Sequence, residues 1–194
     1  MNENLSLTEK RILVALGYKG QVTEDQKMML KDGIEEVKAL SMFCAGYSFF
    51  ALDKVNGLYT TRDGIDVSSN SLQRIFEKKK STSVCVLVTT LGPKVDRKTA
   101  FYKENDPARM VLLDACASAY VEEKTDEFQQ KLNLCNSTMR FAPGYGDVPL
   151  SLQREIFKKV EGIEKTGIIL DDNNIMHPFK SMTGIIGFNF EAEK

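Results

Sequence analysis

Asp106-Pro107 opens the longest helical pattern in the chain, and that element restricts the fold more than any other. Asp106 offers a capping carboxylate, and Pro107 suits the first helical position because its missing N–H would have no partner there. The pattern runs to about Leu132, roughly 37 Å at about 1.5 Å per residue, enough to cross a small domain. Its stripe reads Ala108, Val111, Leu112, Ala115, Ser118, Ala119 and then Glu122. Half of that face is small, which lets another backbone or a ligand approach closely. Glu122 falls on the stripe, about 20° from Ala115, whereas Glu123 lies roughly 80° away on the shoulder. A carboxylate on a half-buried face needs a partner. A salt bridge, an exit to solvent at the helix end and a bound ligand all satisfy that need.

The other elements are shorter. Leu5–Leu16 reads as a helix with Thr8 as cap and Gly17 as stop, and Thr23-x-x-Gln26 is a capping box for a second helix. Met42–Leu52 and Leu58–Thr61 read as neighbouring strands; the Asp63-Gly64 turn precedes a short strand over Ile65–Val67. Ser69 or Asn70 caps the next helix. Val84–Thr89 is a continuous apolar run, the mark of a central strand. Gly92-Pro93 ends it, and a helix follows over Lys94–Lys103. Beyond Leu132 come a polar loop, a strand into Arg140, a helix over Leu150–Val160, and strands over Gly167–Leu170 and Ser181–Phe190. Gly184 and Gly187 in the last strand mark a bulge or a close backbone approach. Hairpin-like strands in front and interspersed helices give an α+β chain, a single domain over residues 1–194 built on a twisted, largely antiparallel sheet with flanking helices.

Composition narrows the function classes. With 26 basic and 27 acidic residues among 194, the chain presents no cationic field for nucleic acid. No run approaches membrane-spanning length and no secretory signal is visible, so a cytoplasmic protein with no membrane partner is expected. The four cysteines have no Cys-x-x-Cys spacing and the single His177 cannot complete a zinc set, so buried, reduced thiols and no metal are expected. No Gly-x-Gly-x-x-Gly, Walker loop or nucleophile motif appears.

What remains is Arg140-Phe-Ala-Pro-Gly-Tyr-Gly-Asp-Val-Pro149. Pro143 fixes its own φ and biases Ala142 toward extended geometry, while Gly144 and Gly146 permit positive φ and clear side chains from the path. Arg140 beside this turn is a planar, permanently charged fork suited to a carboxylate. A structural Arg followed by an ordinary tight turn fits the same spacing.

Together with Thr166-Gly167-Ile168-Ile169-Leu170 and Met176-x-Pro178-x-x-Ser181-Met182-Thr183-Gly184, this segment resembles the S-adenosylmethionine-binding activation domain of cobalamin-dependent methionine synthase. Thr89–Arg97 and Leu113-Asp114-Ala115 resemble its stand-alone, subunit-type members. The likeness covers roughly residues 8–188, with a motif core at about 84–188. It implies a reactivation subunit that presents S-adenosylmethionine for reductive methylation of cob(II)alamin carried by a cobalamin-binding methionine synthase subunit, with an electron donor such as flavodoxin. It implies ligand contacts from Glu122, Arg140, the backbone of Ala142 and Gly144, and Tyr145, and no catalytic side chain. Two departures stand out: no Trp occurs anywhere, so the Asp-Trp-x-Pro-Phe-Phe segment of the fused members is missing, and Ile186 replaces a Tyr two residues past Gly184. Reactivation of another corrinoid methyltransferase, and a clamp on a cobalamin subunit that does not use S-adenosylmethionine, fit the same residues.

Overall fold

The computed structural model describes residues 5–190. In chain order the elements are α1 (Leu7–Ala15), α2 (Glu24–Leu40), β1 (Cys44–Val55), β2 (Leu58–Thr61), α3 (Asn70–Lys79), β3 (Ser83–Thr90), α4 (Pro93–Asn105) and α5 (Pro107–Lys131). After them come α6 (Leu152–Lys159), α7 (Ile163–Thr166), β4 (Ile169–Leu170), β5 (Met176–His177) and β6 (Ser181–Phe188). Four strands form a curled antiparallel sheet in the order β2-β1-β3-β6, while β4 and β5 make a separate two-stranded ribbon.

Every residue of β3 is buried because the sheet is covered on both faces. Val84, Val86 and Val88 point into a cluster with Leu72 and Phe76 of α3 and Leu152 and Ile156 of α6. Cys85 and Leu87 point the other way, beside Ile186, Phe188, Phe128 and Leu132. Strand alternation thus feeds two cores from one continuous apolar run. A third cluster joins α1, α2, α4 and α5. The fold is α+β, as the order of patterns in the sequence indicates.

The structure moves several elements from their expected places. Ser6, not Thr8, caps α1, because Ser6 and Glu9 close a reciprocal capping box. Ile65–Val67 is no strand, although both apolar residues are buried. The Thr61 hydroxyl donates to the Ile65 carbonyl and the Gln73 amide donates to that of Val67, so side chains serve backbone groups that a neighbouring strand would serve. The segment into Arg140 is likewise not a strand. It follows β6 through isolated bridges, Cys135 opposite Asn189 and Phe141 opposite Ile185. Sparse pairing suffices to cover the outer edge of β6.

The stripe expected on α5 is also revised. Ala108 and Val111 are exposed, while Leu113, Cys116, Ala117 and Val121 join Ala115 and Ala119 in the interior. The cause is tertiary: α5 faces β3 and β6 on one side and α1, α2 and α4 on the other, so its middle is enclosed nearly all round. Cys85 and Cys116 are buried, and burial pushes both thiols up to about 12, whereas Cys44 and Cys135 are only half-buried. No helix among the described residues is long and apolar enough to cross a membrane.

Candidate functional site

A groove of about 520 Å³ lies where α5 passes the outer edge of β6. Glu122, Asp126 and Gln129 form one wall, Met182 and Thr183 belong to β6, and the 139–145 segment closes the other side. Of the expected contacts, Glu122, Arg140, Ala142 and Tyr145 line this groove together. Gly144 belongs to the same loop but is not part of the lining.

Arg140 reaches the groove by crossing β6 at Gly184. A Cβ built on Gly184 would sit 2.5 Å from Arg140 Cδ and 2.6 Å from its Cγ, so the strand needs a residue without a side chain there. The guanidinium is almost enclosed, its side chain 11% exposed. Nη1 donates to Asp126 Oδ1 at 2.9 Å and to Gln129 Oε1 at 3.0 Å, and Nη2 donates to Glu122 Oε2 at 2.7 Å. A guanidinium has five N–H donors. The N–H of Nε and one N–H of Nη2 are therefore left over, enough for one further carboxylate without breaking the Nη1 anchor. Glu122 has the looser position, its side chain 40% exposed.

Sequence reasoning singles out Glu122 but passes over Asp126 and Gln129. The signal was available: 122, 126 and 129 fall at i, i+4 and i+7, one face of one helix. A second omission is Asp147. Its carboxylate accepts the backbone N–H of Asn70 at 2.7 Å and of Ser71 at 3.0 Å, which fastens the loop to the amino terminus of α3. The Ser71 hydroxyl and these N–H groups hold the Asp147 carboxyl down at about 2. Gly146, at φ 56°, packs so closely that a Cβ would lie 2.8 Å from Ser71 Oγ.

The turn itself is braced internally. Gly144, at φ 90°, donates its N–H to Val148, Tyr145 donates to Ala142, and Val148 donates to Tyr145. The N–H of Ala142 and the carbonyl of Gly144 have no partner among the described residues. Tyr145 is 70% exposed at the rim. Ile186 is fully buried in the sheet-side core and is not part of the groove lining. His177 pairs with Asp171 at 3.3 Å and packs at a tilt against Phe179, and neither residue belongs to the groove lining. A larger cavity of about 740 Å³, lined by Phe49, Phe188 and Phe190, shares only Asp126 and Gln129 with the groove.

Compared with known proteins, the sequence matches no protein-family profile and no curated protein. Among solved structures it is similar to the MetH reactivation domain bound to AdoHcy, with a TM-score of 0.65 over 96% of this chain and 77% of that one. Sequence identity is 12%. The likeness is one of fold. It agrees with the α+β architecture described above and leaves the ligand of this chain to be argued from its own groove.

Proposed function

We propose that this chain binds S-adenosylmethionine or S-adenosylhomocysteine in the α5–β6 groove and serves as a reactivation subunit for a cobalamin-dependent methionine synthase. The observation that carries the reading is the gathering of Glu122, Arg140, Ala142 and Tyr145 around one groove in a fold shared with an AdoHcy-bound domain. The residues suit such a ligand. Arg140 has two N–H donors left for an α-carboxylate, and Glu122 is free enough to turn toward an ammonium or sulfonium. The unpaired N–H of Ala142, which lines the groove, offers a donor to a nucleoside. Tyr145 supplies an exposed ring at the mouth.

The chemistry belongs to the ligands: a methyl group on sulfonium sulfur is the reactive atom, and the partner's cobalamin, with an electron donor such as flavodoxin, supplies the rest. The chain's own part is to orient the amino-acid end by ion pairing and to leave the nucleoside side open to a partner. On this reading the chain acts as a component of the methyltransferase rather than as an enzyme alone. Reactivation of a different corrinoid methyltransferase shares every one of these features.

Calorimetric titration with S-adenosylhomocysteine tests the reading, with Arg140→Ala as control. A charge-assisted hydrogen bond to a carboxylate is worth about 1.5–3 kcal/mol, so the variant should bind about 10- to 100-fold more weakly. Wild-type protein that ignores millimolar ligand overturns the proposal and favours the clamp that does not use S-adenosylmethionine.

A further inference from the structure

We infer that Asp126 is a positioning residue for the carboxylate fork of Arg140, and that Arg11 of α1 holds Asp126 in place, so the amino-terminal helix tunes the groove. This deepens the proposed function and rests on it for the identity of the ligand.

Asp126 uses both oxygens on two arginines that are far apart in sequence. Oδ1 accepts Arg140 Nη1 at 2.9 Å, and Oδ2 accepts Arg11 Nη2 at 2.8 Å. One turn earlier on both helices, the Thr8 hydroxyl donates to Glu123, so α1 is fastened to α5 at two successive levels. Neither tie reaches the groove directly. Arg11 is absent from its lining, and Asp126 stands between it and Arg140.

The consequence follows from counting donors. Asp126 and Gln129 occupy both protons of Arg140 Nη1 and so fix the plane of the guanidinium. The remaining donors, on Nε and Nη2, are thereby aimed rather than free to swing, and an Arg fork binds a carboxylate well only when its plane is right. Arg11 matters because Asp126 is 34% exposed and would otherwise sample other rotamers. A second cation on its far oxygen removes that freedom without competing for the oxygen Arg140 uses.

A purely structural role for these ion pairs predicts an equal effect on every ligand. A positioning role predicts an effect only on ligands that carry the carboxylate. The experiment is calorimetry of wild type, Asp126→Asn and Arg11→Met with two probes: S-adenosylhomocysteine, and 5′-methylthioadenosine, which has the nucleoside and thioether but no amino carboxylate. Asp126→Asn should weaken S-adenosylhomocysteine about ten-fold, the size of one charged pairing, and change 5′-methylthioadenosine less than about two-fold. Arg11→Met should act in the same direction and more weakly, and should add little to Asp126→Asn, because both act through one carboxylate. Equal losses for the two probes, or unchanged S-adenosylhomocysteine affinity, overturn the inference. Should wild type bind neither probe, the proposed function falls, and the relay is judged by the side-chain ¹⁵N–¹H signals of Arg140. Arg11→Met must then shift or broaden them; an unchanged spectrum sinks the relay as well.

Discussion

Replacing Gly184 by alanine should destabilise the protein and do so through Arg140. Gly184 lies in β6 without a positive φ, so the backbone itself accepts an L-residue. Relief of glycine's chain entropy would alone favour the variant by about 0.5–1 kcal/mol. Against this, the new methyl would lie 2.5 and 2.6 Å from two carbons of the Arg140 stem and 3.2 Å from Leu87 Cδ1, where carbons normally rest at about 3.5–4.0 Å. A side chain free at its far end could retreat by the missing ångström cheaply. Arg140 is tied there to Glu122, Asp126 and Gln129, so retreat costs hydrogen bonds as well as packing. Overpacking of this kind costs about 1–3 kcal/mol, and the tethered guanidinium puts this site in the upper half of that range, which leaves a net loss of about 1–2 kcal/mol after the entropy gain. For a chain of this size that is a fall in Tm of about 2–8 °C. The assay is a denaturant titration of Gly184→Ala in wild-type and Arg140→Ala backgrounds. In the second, only the Leu87 contact remains and the loss should largely vanish. Equal destabilisation in both backgrounds, or none in wild type, would refute the argument.

Two further outcomes are expected. Asp147 is held at about 2 against an ordinary value of 3.8, so its contribution is fully present above the ordinary value and is lost as pH falls through the lowered one; the protection of the Asn70 and Ser71 amides, taken relative to the intrinsic exchange rate at each pH, should fall as the pH drops from about 4 toward 2, and Asp147→Asn should show low protection there already at neutral pH. The buried hydroxyls of Thr89 and Thr125 pair at 2.7 Å. Thr125→Val should cost about 1–3 kcal/mol in denaturant unfolding by stranding Thr89, and Thr89→Val in the same chain should recover part of that loss.

The parts of the fold that were legible in the sequence are those decided locally. The Thr23 and Gln26 capping box, the Asp106-Pro107 start and the apolar run at the centre of β3 each carry their own signal, and all appear where the sequence puts them. The parts that were hidden depend on distant partners. No local pattern shows that Gln73 and Thr61 would satisfy the backbone at Ile65 and Val67, or that helices on both sides would enclose α5. The groove follows the same division. Arg140 and its glycine-bearing turn are conspicuous in one dimension, and Glu122 is found by helical phase. Asp126 and Gln129 share the helical phase of Glu122, but their role, like that of Asp147, shows only in partners 11 to 115 positions away.

The turn at 142–148 is fastened from behind. Its brace consists of backbone bonds among Ala142, Gly144, Tyr145 and Val148, together with the anchor from Asp147 to α3. None of these uses the side chain of Tyr145, which stands in solvent at the mouth of the groove. The position is thus free to vary without cost to the fold, and the taste of such a protein for its ligand can drift over generations by exchange of a single residue while the frame beneath it stays as it is.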